Sequence, residues 1–338
     1  MLPVHKCPWR VSTRATTKLG RQALVAGMGK TALITGAAGF IGSHLVDRLV
    51  SDGYAVVGID DLSSGKQANL PDQFDLRVMD IRDPEVRDVI AEIRPGFVFH
   101  LAAQISVSVS AREPQLDADV NIGGALNLFE GIRALGDKPT KVVYVTSGGT
   151  AYGEPKVLPA DESTTTHPLS PYGASKLAVE TYLPIYERLC GLEYSIVRLA
   201  NIYGPRQDPH GEAGVVAIFA RAMLGGKLLT IFGDGNDERD YVYVGDVVEA
   251  IVKLGENNET GPFNIGSGVG TSTNRIFEIL AQNCGHDADA VHGPAREGDI
   301  NRISLDATRI EKQLGWVPQV SLEEGLKSTV NWFRLQTP

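Results

Sequence analysis

Residues 31–42 constrain what this chain can fold into more than any other stretch. An apolar run, residues 31–35, breaks into Gly36-Ala37-Ala38-Gly39-Phe40-Ile41-Gly42, and apolar residues then recur at helical spacing through residue 49. A strand that turns on glycines straight into a helix opens a βαβ unit. Gly36 permits the tight turn, Gly39 lets a ligand approach the backbone, and Gly42 lets helix and strand pack closely. The next strand, residues 54–59, runs into Asp60.

A helix that starts on such a loop aims its free amides at phosphate groups. A carboxylate at the end of the second strand accepts hydrogen bonds from an adenosine ribose and repels a 2′-phosphate. The unit therefore predicts binding of NAD rather than NADP, through Gly36, Gly39, Phe40, Ile41, Gly42 and Asp60. Asp80 and Ile81 are read as closing the third strand and meeting the adenine. Leu101, Ala102 and Ala103, at the end of the fourth, are small enough to let backbone approach the cofactor; the neighbouring His100 is read as structural.

Further apolar strands at residues 97–101, 141–146 and 193–199 are separated by segments of helical length. That alternation predicts an α/β fold, a doubly wound Rossmann-type parallel sheet, over residues 30–200 with some later elements interleaved. Near-continuous apolar strands such as Val142-Val143-Tyr144-Val145 suit burial on both faces. Beyond Asn201 glycine and proline become frequent. Helices are expected at 214–224, 247–254 and 322–335, and strands at 228–232 and 241–244. Residues 201–338 are read as a smaller C-terminal α/β domain that binds substrate.

Formal net charge is −9, although residues 1–29 hold Lys6, Arg10, Arg14, Lys18 and Arg21 and no acid. The acidic body argues against nucleic acid and acidic membrane surfaces as partners. The basic leader is read as disordered, being an inert tail, an upstream start before Met28 or an organelle transit peptide. Cys7, Cys190 and Cys284 are odd in number and far apart, which fits a reducing compartment and no metal site. A cytoplasmic location is expected.

Tyr172-Gly173-Ala174-Ser175-Lys176 sets a phenol and an ammonium four residues apart on one helical face. A free phenol ionises near pH ~10, so a base working near neutrality needs roughly 4 kcal/mol of preferential phenolate stabilisation. Lys176 and a positively charged nicotinamide are expected to supply it together.

These features resemble the extended short-chain dehydrogenase/reductase family, over residues 30 to about 335. The resemblance implies that Tyr172 accepts the proton, that Lys176 orients it and binds the nicotinamide ribose, and that Ser147 supplies the active-site hydroxyl. The stretch reads Thr146-Ser147-Gly148-Gly149-Thr150-Ala151-Tyr152-Gly153, with Ser147 one residue further from Tyr152 than the family pattern. Thr146 and Thr150 remain alternatives. Dehydratases and decarboxylases of the family place an acid after that hydroxyl, whereas two glycines follow Ser147 here.

Three later segments are similar to the family's nucleotide-sugar epimerases: 201–219, 232–242, and 295–299. From them Asn201, Arg239, Arg296 and Asp299 are implied to bind the nucleotide and its diphosphate. The implied activity is NAD-dependent 4-epimerisation of a UDP-hexose, glucose to galactose, through a transient 4-keto sugar. Alternatives within the family are UDP-N-acetylhexosamine, UDP-hexuronate and a reductase; outside it stands a non-catalytic dinucleotide sensor. Ile303 falls where room for a 2-N-acetyl group is set. A homodimer through residues 118–135 and 176–189 is also implied.

Overall fold

The computed structural model describes residues 30–136, 139–210, 214–295 and 300–336. The basic leader, Arg296 and Asp299 lie outside the described residues. The strands are β1 (Thr31–Thr35), β2 (Ala55–Asp60), β3 (Leu76–Val78), β4 (Phe97–His100), β5 (Lys141–Ser147), β6 (Glu193–Leu199), β7 (Asn201–Tyr203), β8 (Thr230–Phe232), β9 (Glu238–Tyr243), β10 (Gly261–Ile265), β11 (Gly270–Ser272), β12 (Val291–Gly293) and β13 (Arg302–Ile303). The helices are α1 (Phe40–Ser51), α2 (Glu85–Ile93), α3 (Val107–Arg112), α4 (Pro114–Ala118), α5 (Gly124–Ala134), α6 (Gly148–Tyr152), α7 (Pro171–Cys190), α8 (Val215–Leu224), α9 (Val244–Gly255), α10 (Thr273–Cys284), α11 (Thr308–Leu314) and α12 (Leu322–Gln336), and a π-helical turn, Asp119–Gly123, joins α4 to α5.

Seven strands form one sheet in the order β10-β6-β5-β4-β1-β2-β3, every pairing parallel. This is the doubly wound arrangement expected, and β10 reaches it from beyond residue 201. Alternation along the strands sends Leu33, Val98, Val142 and Ile196 to one face. Ile34, Phe99, Val143 and Val197 go to the other. The first face is covered by α2, α5 and α7 through Ile90, Phe129 and Leu183. The second is covered by α1 and α9 through Leu45, Leu49, Val247 and Ile251. Each fully buried side chain of this kind contributes ~1.5–3 kcal/mol, so two-sided coverage holds the central strands fixed.

Downstream, β9 is the hub of a second sheet. It pairs antiparallel with β11 and parallel with β13 and β7. Helices α8, α10 and α12 enclose a separate core around Ile231 and Tyr241, built from Phe219, Met223, Leu280, Val330 and Phe333. A small cluster of Tyr152, Ala160, Ile303 and Leu305 joins this part to α6.

Two expectations need correction. The third strand ends at Val78, and Asp80 stands in the turn that follows, where its backbone carbonyl accepts from Asp83. The strand expected at 241–244 spans Glu238–Tyr243, and α9 begins at once with Val244. Pairing with three partner strands draws the polar Glu238, Arg239 and Asp240 into the ladder, which tertiary context does and local apolar pattern does not show. Among the described residues no helix is long and apolar enough to cross a membrane.

Candidate active site

The strand order reverses between β1 and β4, and the crevice beyond their C-terminal ends is where such sheets bind ligands. Gly36 sits there with φ +71, and a Cβ on it would stand 2.8 Å from the Ala102 amide nitrogen. A Cβ on Gly42 would overlap the Gly36 carbonyl oxygen. Gly39 caps α1 without a side chain, so the first-turn amides of α1 face outward with no side-chain partner. Asp60 Oδ2 accepts from the Ala38 amide and Oδ1 from the Leu62 amide, both at 2.9 Å. Burial raises its carboxyl above the ordinary value, while the amides of Leu62, Ala38 and Gly39 act against that. The Asp60 carboxylate thus also buttresses the glycine loop.

Across the crevice, Thr35 Oγ1 lies 2.7 Å from His100 Nδ1 and accepts from the amides of Leu101 and Ala102. Burial pushes His100 down to about 3, so its ring is neutral. Ile81 is buried against the glycine at position 124. The Asp80 carboxylate is gripped by Arg82 at 2.6 Å, which holds its pKa low.

Helix α7 presents the phenol and ammonium. Ser170 caps it by accepting from the Gly173 amide at 3.1 Å, and Pro171 fills the first helical position. Tyr172 and Lys176 therefore lie in its first two turns. The Lys176 ammonium stands 4.5 Å from the Tyr144 ring centroid. Burial pushes Lys176 down to about 7, with Glu180 and Asp117 opposing. The expected lowering of the Tyr172 phenol is not produced by the polypeptide. Burial pushes it up to about 12, and Asp117 adds to the effect.

Three hydroxyls stand at the end of β5 and the start of α6. Ser147 Oγ accepts weakly from the Thr150 amide at 3.4 Å, and Thr150 Oγ1 donates to the Ser147 carbonyl at 3.4 Å. Thr146 Oγ1 is buried with no hydrogen-bond partner among the described residues. A Cβ on Gly148 would meet Leu305 Cδ1 at 2.6 Å. An acidic side chain at that position would have to displace the Leu305 side chain.

The glycine loop, the hydroxyls of Thr146, Ser147 and Thr150 and the Tyr172–Lys176 pair open on one cleft of ≈1310 Å³. Gly36, Gly39, Phe40, Ile41, Gly42, Asp60, Asp80, Ile81, Leu101, Ala102 and Ala103 line one end, Ser147, Tyr172 and Lys176 the middle, and Asn201 and Arg239 the other. Arg239 Nη1 donates to the carbonyls of Glu238 and Asn301 at 3.0 and 3.4 Å. Among the described lining residues the carboxylates are Asp60, Asp61 and Asp80, all on the glycine-loop side. Sequence reasoning missed Gln104 and Gln207 in this wall. Gln207 is buried, donates Nε2 to the Ile202 carbonyl, and leaves Oε1 without a partner among the described residues. Nothing in local pattern marks either glutamine, because a cleft wall has no periodicity.

A doubly wound sheet with this glycine loop and a Tyr-x-x-x-Lys helix on the same cleft is the arrangement of the short-chain dehydrogenase/reductase enzymes. The chain belongs to the GDP-mannose 4,6 dehydratase family, whose profile it matches over residues 33–329. It is 50% identical over 308 residues to a UDP-glucose 4-epimerase of Mycolicibacterium smegmatis, covering 89% of this chain and 98% of that one. A putative UDP-glucose 4-epimerase of Methanocaldococcus jannaschii is 45% identical with the same coverage. Among solved structures, the UDP-glucose 4-epimerase of Thermotoga maritima with UDP-glucose superposes with TM-score 0.88 at 48% identity, covering 91% of this chain and 100% of that one. The Thermus thermophilus UDP-glucose 4-epimerase in complex with NAD gives 0.86 at 42%, covering 90% and 99%.

Proposed function

We propose that this chain is an NAD-dependent UDP-hexose 4-epimerase that interconverts UDP-glucose and UDP-galactose. The observation that carries the reading is the single cleft holding a dinucleotide loop, a Tyr–Lys pair with hydroxyls, and an arginine at the far end. The residues present fit NAD. The crowding at Gly36 and Gly42 leaves room for backbone only, and the uncapped α1 amides suit a pyrophosphate. Gly36, Gly39, Phe40, Ile41 and Gly42 hold the diphosphate, Asp60 the adenosine ribose, Asp80 and Ile81 the adenine, and Leu101, Ala102, Ala103, Tyr172 and Lys176 the nicotinamide half. Bound NAD supplies a hydride acceptor that returns the hydride in the same turnover, together with a positive charge beside the phenol.

Tyr172 takes the proton from the sugar O4, with Ser147 beside it. The phenol's raised pKa in the polypeptide makes an added positive charge necessary for this step. Asn201 and Arg239 anchor the nucleotide diphosphate, with Arg296 assigned to the phosphates and Asp299 to the ribose from outside the described residues. Binding energy then resides far from C4, and the hexose pocket stays loose enough for a 4-keto sugar to turn and receive the hydride on its other face. Elimination needs a second acid near the sugar, and the space beside Gly148 is filled by Leu305. That favours epimerisation over the dehydration in the family's name.

Residues 30–200, with α9 and β10 interleaved, form the cofactor half and the remaining elements from 201 onward the sugar-nucleotide half in this reading. The enzyme works in the cytoplasm as a homodimer, consistent with exposed Tyr182 and Ile185 on α7. Purified protein incubated with UDP-galactose should yield UDP-glucose without net NADH consumption. Tyr172→Phe should cut turnover by ~10²–10⁴ with NAD retained. Unchanged turnover in that variant would remove the assignment of the base. Parallel assays with UDP-N-acetylglucosamine and UDP-glucuronate define the accepted hexose.

A further inference from the structure

Behind the cleft wall lies a carboxylate with no part in the reaction as described. Asp117, on α4, is 1% exposed. Its Oδ1 accepts from Gln104 Nε2 at 2.8 Å and from Asn121 Nδ2 at 3.1 Å. Its Oδ2 is buried and has no hydrogen-bond partner among the described residues. Asn121, in the π-helical turn, accepts from the Gln104 amide at 2.9 Å and lies 3.0 Å from Ser175 Oγ, which donates to the Tyr172 carbonyl at 3.0 Å. Asp117 is thus tied through Gln104 to the loop that lines the cleft, and through Asn121 and Ser175 to the first turn of α7.

Four elements bring titratable or charged groups toward the Tyr172–Lys176 pair. From β4 comes neutral His100, held by Thr35, and from β5 the Tyr144 ring. From α7 itself comes Glu180, whose carboxylate is matched by the Arg198 guanidinium at 2.6 Å. From α4 comes Asp117, whose partners are neutral amides. Among the described residues no cationic side chain bonds its carboxylate. A buried carboxylate with an idle oxygen is unfavourable and calls for a reason.

We propose that Asp117 is a positioning residue of the epimerase site: its carboxylate ties the Gln104 loop to the catalytic helix and is the counter-charge for the Lys176 ammonium beside Tyr172. The inference rests on the reading of Tyr172 and Lys176 given above. A negative charge at this place favours the ammonium and opposes ionisation of the phenol, so its removal moves both titrations to lower pH.

Asp117→Asn keeps an acceptor oxygen for Gln104 and Asn121 and removes the charge. The NAD-loaded protein and this variant are each compared with their Tyr172→Phe counterparts by tyrosinate difference absorbance across pH. The midpoint assigned to Tyr172 should fall by roughly half a pH unit or more in Asp117→Asn, and the alkaline limb of kcat should move the same way. An unmoved midpoint and limb overturn the proposal, as does a lowered Tm with both pH readouts unchanged. Should Asp117→Asn fail to fold, Gln104→Leu cuts one tether: kcat should drop about tenfold at unchanged KM, and an unchanged kcat overturns the proposal. The tyrosinate titration needs no substrate. A shifted midpoint in a protein that turns over no UDP-hexose supports the Asp117 assignment while removing the proposed reaction.

Discussion

Lys176 shows how a single site residue sets function against stability. Burial lowers its pKa to about 7 from an unfolded value of 10.5, despite the opposing charges of Glu180 and Asp117. Between those two values the unfolded chain holds more protons than the folded one, so this group makes stability rise with pH across that window. Below about 7 both states are protonated and the full cost of a buried ammonium remains. Lys176→Met, similar in length and uncharged, should therefore be more stable than the natural protein at pH 6–7 and inactive. Its advantage should shrink as pH approaches 10. Denaturant melts across that range check both parts, and a Met variant less stable at pH 6.5 would show that the ammonium's partners outweigh its desolvation.

At the scale of an element, α7 is held in register by a buried polar chain. Arg198 on β6 donates to Glu180 through Nε and Nη2 and to the Tyr152 hydroxyl through Nη1. Tyr152 in turn donates to Asn264 Oδ1 at 2.8 Å, and Asn264 Nδ2 donates to the Ala160 carbonyl. The chain ties α7 and the loop that precedes it to β6 and to β10, the last remote from them in sequence. Arg198→Met strands a buried carboxylate at Glu180 and should cost about 3–5 kcal/mol in urea unfolding. The Glu180→Met, Arg198→Met double variant should recover most of it, because paired charges in a core are close to neutral against well-packed apolar residues. A double variant as unstable as the single one would mean that Tyr152, rather than the charge, dominates.

For the whole molecule, the arrangement separates anchoring from chemistry. The cleft runs from the switch point of the seven-stranded sheet to β7 and β9 of the second sheet, with Tyr172 between. Arg239 sits on β9 beside Asp240, which is buried and accepts from the amides of Ser267, Gly268 and Leu305. That seat fixes the Arg239 end of the cleft, and in the proposed reading it holds the guanidinium on the diphosphate rather than at the reacting carbon. Arg239→Ala should raise KM for the UDP-sugar about tenfold or more, a loss of roughly 1.5–3 kcal/mol, with kcat changed little. A fall in kcat at constant KM would place Arg239 at the chemistry and contradict the division of labour.

What the sequence determined by itself is local. The glycine loop, the strand-to-Asp60 unit and the Tyr172–Lys176 pair depend on spacings of a few residues, and period-two and period-3.6 patterns carry them without reference to the rest of the chain. The doubly wound class follows from the same alternation. Tertiary structure alone decided that β10 joins the first sheet, that polar Glu238–Asp240 belong to a strand, and that Leu305 closes the space beside Gly148. It also decided the direction of the phenol's pKa, since burial of Tyr172 in the folded chain raises it and the Asp117 charge, brought near as α4 packs against α7, adds to that. Desolvation and the field of a charge from another element depend on distance in space, and a linear spacing holds no record of them.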